Sequence, residues 1–227
     1  MYTIDIDTGG TFTDGYIFGD GRATSVKVET TPHDLTVCFF SCIEEGARRL
    51  EMETPDLLEQ TRVIRFSSTI ATNTAVQRTG PKLGVIVTKG AEKDLYAAEA
   101  ENPITAFVSS QMVVGVSEEV DDRGEAVRPP DAEEVDAGVR RLLENGARMV
   151  VISLRNAHLN PANEMGVRRT IDAAYPRHYL GAVPLLVSHQ VSRVPNDELR
   201  TNTAVVNAYF HRSLVNSLYK AEDQVKK

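Results

Sequence analysis

Residues 1–21 read MYTIDIDTGGTFTDGYIFGDG, and how this stretch folds decides the arrangement of the rest. Tyr2, Ile4 and Ile6 alternate with Thr3, Asp5 and Asp7, the period-two pattern of a half-buried strand. The alternation breaks at Gly9-Gly10 and resumes from Thr11 to Phe18, which predicts a hairpin turning at Thr8-Gly9-Gly10. Asp5 and Asp7 share one face of the first strand, with Asp7 at its carboxyl end. On the second strand Thr11 and Thr13 share a face, and Phe12 and Asp14 take the other. Glycines in the turn remove the side chains that would block a close approach. The N–H groups of Gly10 and Thr11 and the hydroxyls of Thr11 and Thr13 are therefore candidate donors to phosphate oxygens. Asp7, across the turn, is a candidate carboxylate for a hydrated Mg²⁺ bridging such phosphates. A plain tight hairpin with a Gly-Gly turn and polar edge residues satisfies the same spacing. The loop is not of the G-x-x-x-x-G-K-[ST] kind, which needs a strand-to-helix turn and a lysine.

Outward from the hairpin, "GDGR" makes a second turn and "ATSVKVE" a third strand, so the chain opens as an antiparallel meander. Leu35, Phe39, Cys42, Ile43 and Leu50 then recur at helical spacing, with Pro32 and Asp34 suited to a helix start. "RVIRF" is strand-like, "STIATNTAVQR" helix-like and "KLGVIVTK" strand-like. "DAEEVDAGVRRLLENG" is an amphipathic helix with Gly146 as its cap. "RMVVISL" reads as a buried strand, "NPANEMGVRRTIDAAY" as a helix, "VPLLVS" as the last strand, and residues 196–222 as one long helix. Three antiparallel strands followed by helix-strand alternation predict an α/β fold with a mixed sheet. The weakly periodic stretch from Leu95 to Arg128 reads as an insertion carrying a hairpin. The expected division is a core at 1–94, a small inserted subdomain at 95–130, and the remainder of the α/β lobe at 131–227.

Bulk properties bound the classes. A chain of 227 residues, 41% hydrophobic and 25% charged, is ordinary for a soluble globular protein. A formal net charge of −7 argues against non-specific nucleic-acid binding. No apolar run approaches the ~18 residues of a membrane span, and with a strand-like pattern directly after Met1 no signal peptide is expected. Two cysteines, Cys38 and Cys42, give no disulfide framework, so the expected location is cytoplasmic and without membrane association.

Other constellations have a functional and a structural reading. Ser68, Thr69, Thr72 and Asn73 stand at a helix start after a strand, suited to a substrate carboxylate or phosphate, or to simple capping. Arg200 opens the last helix, where a guanidinium binds carboxylate or bicarbonate bidentately, or pairs with Asp197 or Glu198. Cys38 and Cys42 lie on one helix face with His33 nearby; their apolar setting favours core thiols over a metal site.

The string "DIDTGGTFTD" resembles the first phosphate motif of the actin, sugar-kinase and heat-shock ATPase superfamily, and more narrowly the hydantoinase A and 5-oxoprolinase family. "TTPHD", "STIATNTAVQRTGPKLGVIVTKG", "NPANEMGVRR" and "RTNTAVVNAYF" continue the resemblance in order along the chain. It implies a ribonuclease H-like, actin-type ATPase lobe that binds ATP with Mg²⁺ (or Mn²⁺) through Asp7, Gly9, Gly10, Thr11 and Thr13. Ser68, Thr69, Asn73 and Arg200 become substrate-binding candidates. The activity implied is ATP-driven phosphorylation of an enol or amide oxygen, in a subunit of an acetone- or acetophenone-type ketone carboxylase. The alternatives are an ATP-dependent hydantoinase or oxoprolinase opening a cyclic amide, and a non-catalytic scaffold subunit. Implied partners are a second ATPase lobe, a hydantoinase B-like subunit and a small carbonyl substrate. Two departures stand out. Arg65-Phe66-Ser67-Ser68-Thr69 occupies a segment where many members have H-G-T-T, and no second D-x-G-G-T motif appears. The chain thus reads as one lobe of a two-lobe site, inactive by itself, with apolar residues of its last helix (among Val206, Phe210, Leu214 and Leu218) left for a partner.

Overall fold

The opening alternation folds as β1 (Tyr2–Thr8) and β2 (Phe12–Gly19), antiparallel around a Gly9–Thr11 turn. The positive φ of Asp20 and Gly21 turns the chain into β3 (Arg22–Glu29), antiparallel to β2. Helices α1 (Leu35–Arg49) and α2 (Thr54–Glu59) follow, then β4 (Thr61–Ser68), parallel to β1, and α3 (Ile70–Gln77). The sheet is mixed, in the order β3-β2-β1-β4. Ile4, Ile6, Ile17 and Val26 point to one face and bury against Phe39, Cys42 and Ile43 of α1. Asp34 starts that helix, its carboxylate accepting from the Thr36 N–H at 3.1 Å.

Two glycines let α1 lie close to the sheet. A Cβ on Gly15 would stand 2.4 Å from Cys42 Sγ, and one on Gly46 would stand 2.0 Å from Ile17 Cδ1. Gly46→Ala is therefore expected to cost about 1–3 kcal/mol through overpacking, despite alanine's better helix propensity. A lower urea midpoint at unchanged slope is the expected readout; an unchanged midpoint would mean that helix and sheet part freely.

Cys38 and Cys42 are free, buried thiols of this core. Burial, with smaller effects of Cys38 and Asp14, pushes the Cys42 thiol up from 9.0 to about 11. A raised folded-state value means that its contribution is full below pH 9.0 and is lost as pH climbs to about 11. Thermal melts should therefore fall across that window by less in Cys42→Ala than in the parent; equal falls would refute the assignment.

After α3 the chain builds a second sheet. Strands β5 (Leu83–Thr88), β6 (Val113–Val116), β9 (Met149–Ser153) and β10 (Leu185–Val187) are all parallel, in the order β10-β9-β5-β6. Their continuous apolar runs suit a sheet covered on both faces. Helix α4 (Ala132–Glu144) joins β6 to β9, and α5 (Ala162–Ala174) joins β9 to β10. Val135, Val139 and Leu142 of α4 and Val167 and Ile171 of α5 enter the same core as Val85, Ile86, Val151 and Ile152. Gly146, at φ 91°, closes α4 as its sequence predicts. A short hairpin, β7 (Glu119–Val120) with β8 (Ala126–Arg128), lies beyond β6. Helix α6 (Ser188–Val191) and the 29-residue α7 (Asp197–Val225) complete the chain.

The structure, a computed structural model, describes residues 1–93, 103–176 and 182–225. They form two compact units, one of Met1–Gln77 with the segment from Arg212 on, the other Arg78–His211. The sequence-based boundaries at 94/95 and 130/131 differ from this division, because β5 hydrogen-bonds in one parallel sheet with β6 and β9. Within the expected insertion, Glu119–Val120 and Ala126–Arg128 pair as a hairpin, and Val113–Val116 belongs to the four-stranded parallel sheet. The expected start of that insertion, at 95–102, lies outside the described residues. On α7, Val206 and Leu218 are exposed, whereas Phe210 and Leu214 are partly buried. Among the described residues no helix is long and apolar enough to cross a membrane.

Candidate functional site

Because β1 and β4 are parallel neighbours, their carboxyl ends lie together, with Asp7 opposite Ser67 and Thr8 opposite Ser68. The β1–β2 turn and the start of α3 therefore flank one another. The Thr69 N–H donates to Thr8 O at 3.1 Å, tying the beginning of α3 to the hairpin. Gly10 and Thr11 are exposed, and a Cβ added at Gly10 would meet nothing within 4 Å. The Gly9 N–H closes the turn on Phe12 O at 3.0 Å, and Thr11 O is held by the Thr30 N–H at 2.9 Å. The outer surface of the loop is open while its frame is fixed.

The open face of this sheet carries the carboxylates. Asp7 and Asp14 are direct cross-strand partners, both exposed. Asp14 pairs with Lys27 at 2.5 Å, and Asp5 with Arg65 at 2.7 Å. Asp7 has no basic partner among the described residues; its carboxylate accepts a short hydrogen bond from Ser67 Oγ. Like charges opposite one another weaken a ladder, so the Asp7–Asp14 pair is a place where a cation is welcome. Asp5, Asp7, Asp14, Tyr16, Arg65 and Ser67 line a cleft of about 310 Å³. No group of three or more His, Cys, Asp or Glu side chains among the described residues is arranged to hold a metal directly. An ion here would be held by Asp7 with water completing its shell, as suits Mg²⁺.

The four other candidates around the turn and the start of α3 behave differently from one another. Thr13 is fully buried, because the three-residue turn places it opposite Thr8 on the core face. Its hydroxyl bonds to Thr30 Oγ1 at 3.0 Å and Thr8 Oγ1 at 3.4 Å, and Thr30 Oγ1 donates to Gly9 O at 3.0 Å. Thr13 therefore braces the turn from below and offers no surface to a phosphate. Ser68 Oγ accepts the Ile70 N–H at 3.2 Å, the capping arrangement at the start of α3. Thr69 and Asn73 remain exposed on the first turn of α3, with Asn73 Nδ2 3.4 Å from Thr69 Oγ1.

Arg200 lies in the other unit and is fully buried. Its Nε donates to Ser188 Oγ at 3.1 Å, Nη1 to Val194 O at 3.2 Å, and Nη2 to Leu154 O at 2.6 Å and Asp197 Oδ1 at 2.5 Å. The salt bridge to Asp197 is the structural alternative that the sequence left open. The expected display of this guanidinium to a substrate anion is corrected: its donors face inward. Buried Glu164 extends the network, accepting from Ser188 Oγ at 2.6 Å, the Leu154 N–H at 3.0 Å and His189 Nδ1 at 2.6 Å. Sequence reading missed this network, and it missed Ser67 as the partner of Asp7. Neither carries a motif; both follow from strand pairing and helix placement.

Residues 3–175 match the family model described as the hydantoinase/oxoprolinase N-terminal region. The chain belongs to the hydantoinase/oxoprolinase N-terminal region family. Within that family's reach, it is 34% identical over 241 residues to the acetophenone carboxylase gamma subunit of Aromatoleum aromaticum, covering 99% of this chain and 33% of the relative. It is 26% identical over 222 residues to the caprolactamase subunit alpha of Pseudomonas jessenii, covering 92% of this chain and 31% of the relative. A nucleotide-free structure of acetone carboxylase, from work on ATP-dependent acetone carboxylation, superposes with a TM-score of 0.89 at 26% identity. That match covers 99% of this chain and 34% of the other. The hydantoinase/oxoprolinase region thus shares its mixed α/β architecture with acetone carboxylase, and this chain spans about a third of the length of its relatives.

Proposed function

We propose that the β1–β2 turn is the phosphate-binding half of an ATP site in an enzyme that activates a carbonyl oxygen. The observation that carries this reading is the open Gly9-Gly10 turn beside Asp7 and the start of α3, all at the carboxyl ends of two adjacent parallel strands. ATP would supply the phosphoryl group that turns a carbonyl oxygen into a leaving group. This chain's residues would position and neutralise. The N–H groups of Gly10 and Thr11 and the Thr11 hydroxyl face the phosphates. Asp7, oriented by Ser67, holds a hydrated Mg²⁺ or Mn²⁺. Thr69 and Asn73 offer donors at the start of α3 to a phosphate or substrate carboxylate. Thr13 and Ser68 support these groups from behind.

On this reading the chain is an actin-type ATPase lobe, and a second lobe closes the site from the rest of a longer polypeptide or from another subunit. The lengths of the relatives and the exposure of Val206 and Leu218 support that. Ketone carboxylation is the first choice, because the 34% identical relative is named as an acetophenone carboxylase subunit. Opening of a cyclic amide is the alternative, supported by the caprolactamase relative. A hetero-oligomer with a hydantoinase B-like subunit is the matching assembly.

Residues 1–227 alone are expected to hydrolyse no ATP, because contacts on one side only act in high dielectric, where each is worth little. Turnover by the isolated chain at the rate of the assembled enzyme would refute the one-lobe reading. In the assembly, bicarbonate-dependent loss of a ketone would establish the carboxylase and ring opening of a lactam the alternative. Titration with Mg-ATP giving the same heat for the parent and Asp7→Ala would leave a non-catalytic scaffold.

A further inference from the structure

The motif TTPHD, residues 30–34, joins β3 to α1, and its first residue grips the β1–β2 turn at two carbonyls. The Thr30 N–H donates to Thr11 O at 2.9 Å, adding one bond to the β2–β3 ladder, and the Thr30 hydroxyl donates to Gly9 O at 3.0 Å. A hydroxyl has one proton, so Thr13 donates in the 3.0 Å bond between the Thr13 and Thr30 side chains. Thr13 is fully buried and holds the Thr30 oxygen from the core side. Thr30 is also kept from swinging away. Its branched side chain is stiff about χ1, and the next residue is fastened to the start of α1. Thr31 Oγ1 donates to Asp34 O at 2.6 Å and accepts the Cys38 N–H at 3.1 Å.

This grip decides where one backbone donor points. A peptide unit is planar and trans, so its C=O and N–H face opposite ways. Gly9 C=O and Gly10 N–H belong to one such unit. Drawn to the Thr30 hydroxyl, the carbonyl turns the Gly10 N–H outward, where no acceptor among the described residues bonds it. Glycine flanks this unit on both sides, and without a Cβ on either residue backbone sterics leave its plane free to rotate. The orientation therefore needs an external hold, and the Thr30 hydroxyl supplies it.

We propose that Thr30 is a positioning residue of the phosphate site: its hydroxyl locks the Gly9–Gly10 peptide with the N–H aimed at a phosphate oxygen. The proposal rests on the ATP reading of the hairpin and adds to it the group that sets the donor. Thr30 touches no phosphate itself; it acts through the peptide it holds.

Thr30→Val keeps the branched shape and the backbone N–H but removes the hydroxyl, Thr30→Ala removes it without adding a methyl, and Thr30→Ser keeps it. In the assembled enzyme the KM for ATP is expected to rise about tenfold in Thr30→Val and Thr30→Ala, the scale of one misaimed hydrogen bond to a charged group. kcat should stay within about threefold, because the donor meets the phosphate equally before and during transfer. Thr30→Ser should keep KM within about twofold of the parent. A residue that merely supported the fold would lower the melting temperature and the yield of active enzyme without moving KM. Asp7→Asn, measured alongside, separates this proposal from the reading beneath it. Parental turnover in Asp7→Asn would refute the ATP hairpin and the Thr30 role with it. Lost turnover in Asp7→Asn with an unmoved KM in Thr30→Val and Thr30→Ala would overturn the Thr30 role alone. A serine variant as impaired as the valine one, or no soluble enzyme from either variant without the hydroxyl, would overturn it as well.

Discussion

Asp7→Asn is expected to lower ATP turnover of the assembled enzyme by roughly a thousandfold, the scale of losing a group that organises charge around a transferring phosphoryl. Asparagine keeps the shape of the side chain and still accepts from Ser67, but it no longer attracts a hydrated divalent ion. The side chain is exposed and no ion pair involves it among the described residues, so the melting temperature should stay within a degree or two. The apparent requirement for Mg²⁺ should rise with the loss of rate. Asp14→Asn is the internal control: its carboxylate is already paired with Lys27 at 2.5 Å, so the same change there should cost far less turnover. If Asp7→Asn keeps turnover within about threefold of the parent, the hairpin is a structural turn and the phosphate reading fails.

Arg200→Ala is the substitution expected to damage folding most. The guanidinium donates to two carbonyls, one hydroxyl and one carboxylate from a fully buried position. Truncation removes the cation and leaves Leu154 O, Val194 O and the Asp197 carboxylate short of partners, with a void where the side chain lay. Breaking one member of a buried ionic network costs about 3–5 kcal/mol, on the order of 10 °C in melting temperature for a chain of this size. Arg200→Lys should recover only part of this, because an ammonium cannot reproduce the fork that reaches Ser188, Leu154 and Asp197 together. Were Arg200→Ala to melt like the parent while losing affinity for a substrate anion, the inward assignment would be wrong.

The two sheets were unequally legible. Period-two alternation through Ile6 and from Thr11 to Phe18 was enough to place the first hairpin, and glycines with aspartates marked its turn as the place to look. Face assignments there depended on the register, which turn length decides: pairing Asp7 with Asp14 sends Thr13 inward. The third contributor, β4, is nearly sixty residues away and pairs in parallel, and no local pattern in "RVIRFSS" reveals that Ser67 will meet Asp7. Arg200 shows the same limit from the other side. A cation in the first turn of a helix has the composition of an anion site, and only the packing of Leu154, Ser188 and Val194 around it decides that its partners are internal. The weakly periodic segment around Val113 concealed a parallel strand because it is only four residues long and apolar on both faces, so it carries no amphipathic signature. What sequence conveys well is local conformation and the chemistry of a turn; what it leaves out is which distant backbone completes the site.

The discontinuity of the first unit has a consequence for synthesis. Domains fold as units while the chain emerges from the ribosome amino-terminus first. Residues 78–211 are contiguous, so that unit can finish folding as soon as its own last residue is free. The unit holding the Gly9-Gly10 hairpin begins earlier but is completed later, since Ala221 belongs to its core and Lys220 reaches Asp34 at 3.2 Å across 186 residues of chain. The nascent meander and α1 must wait, with part of their apolar face uncovered, until the far half of α7 has been made. Of the two units, the one begun first is therefore the one completed last, and its core stays partly uncovered while the other unit folds.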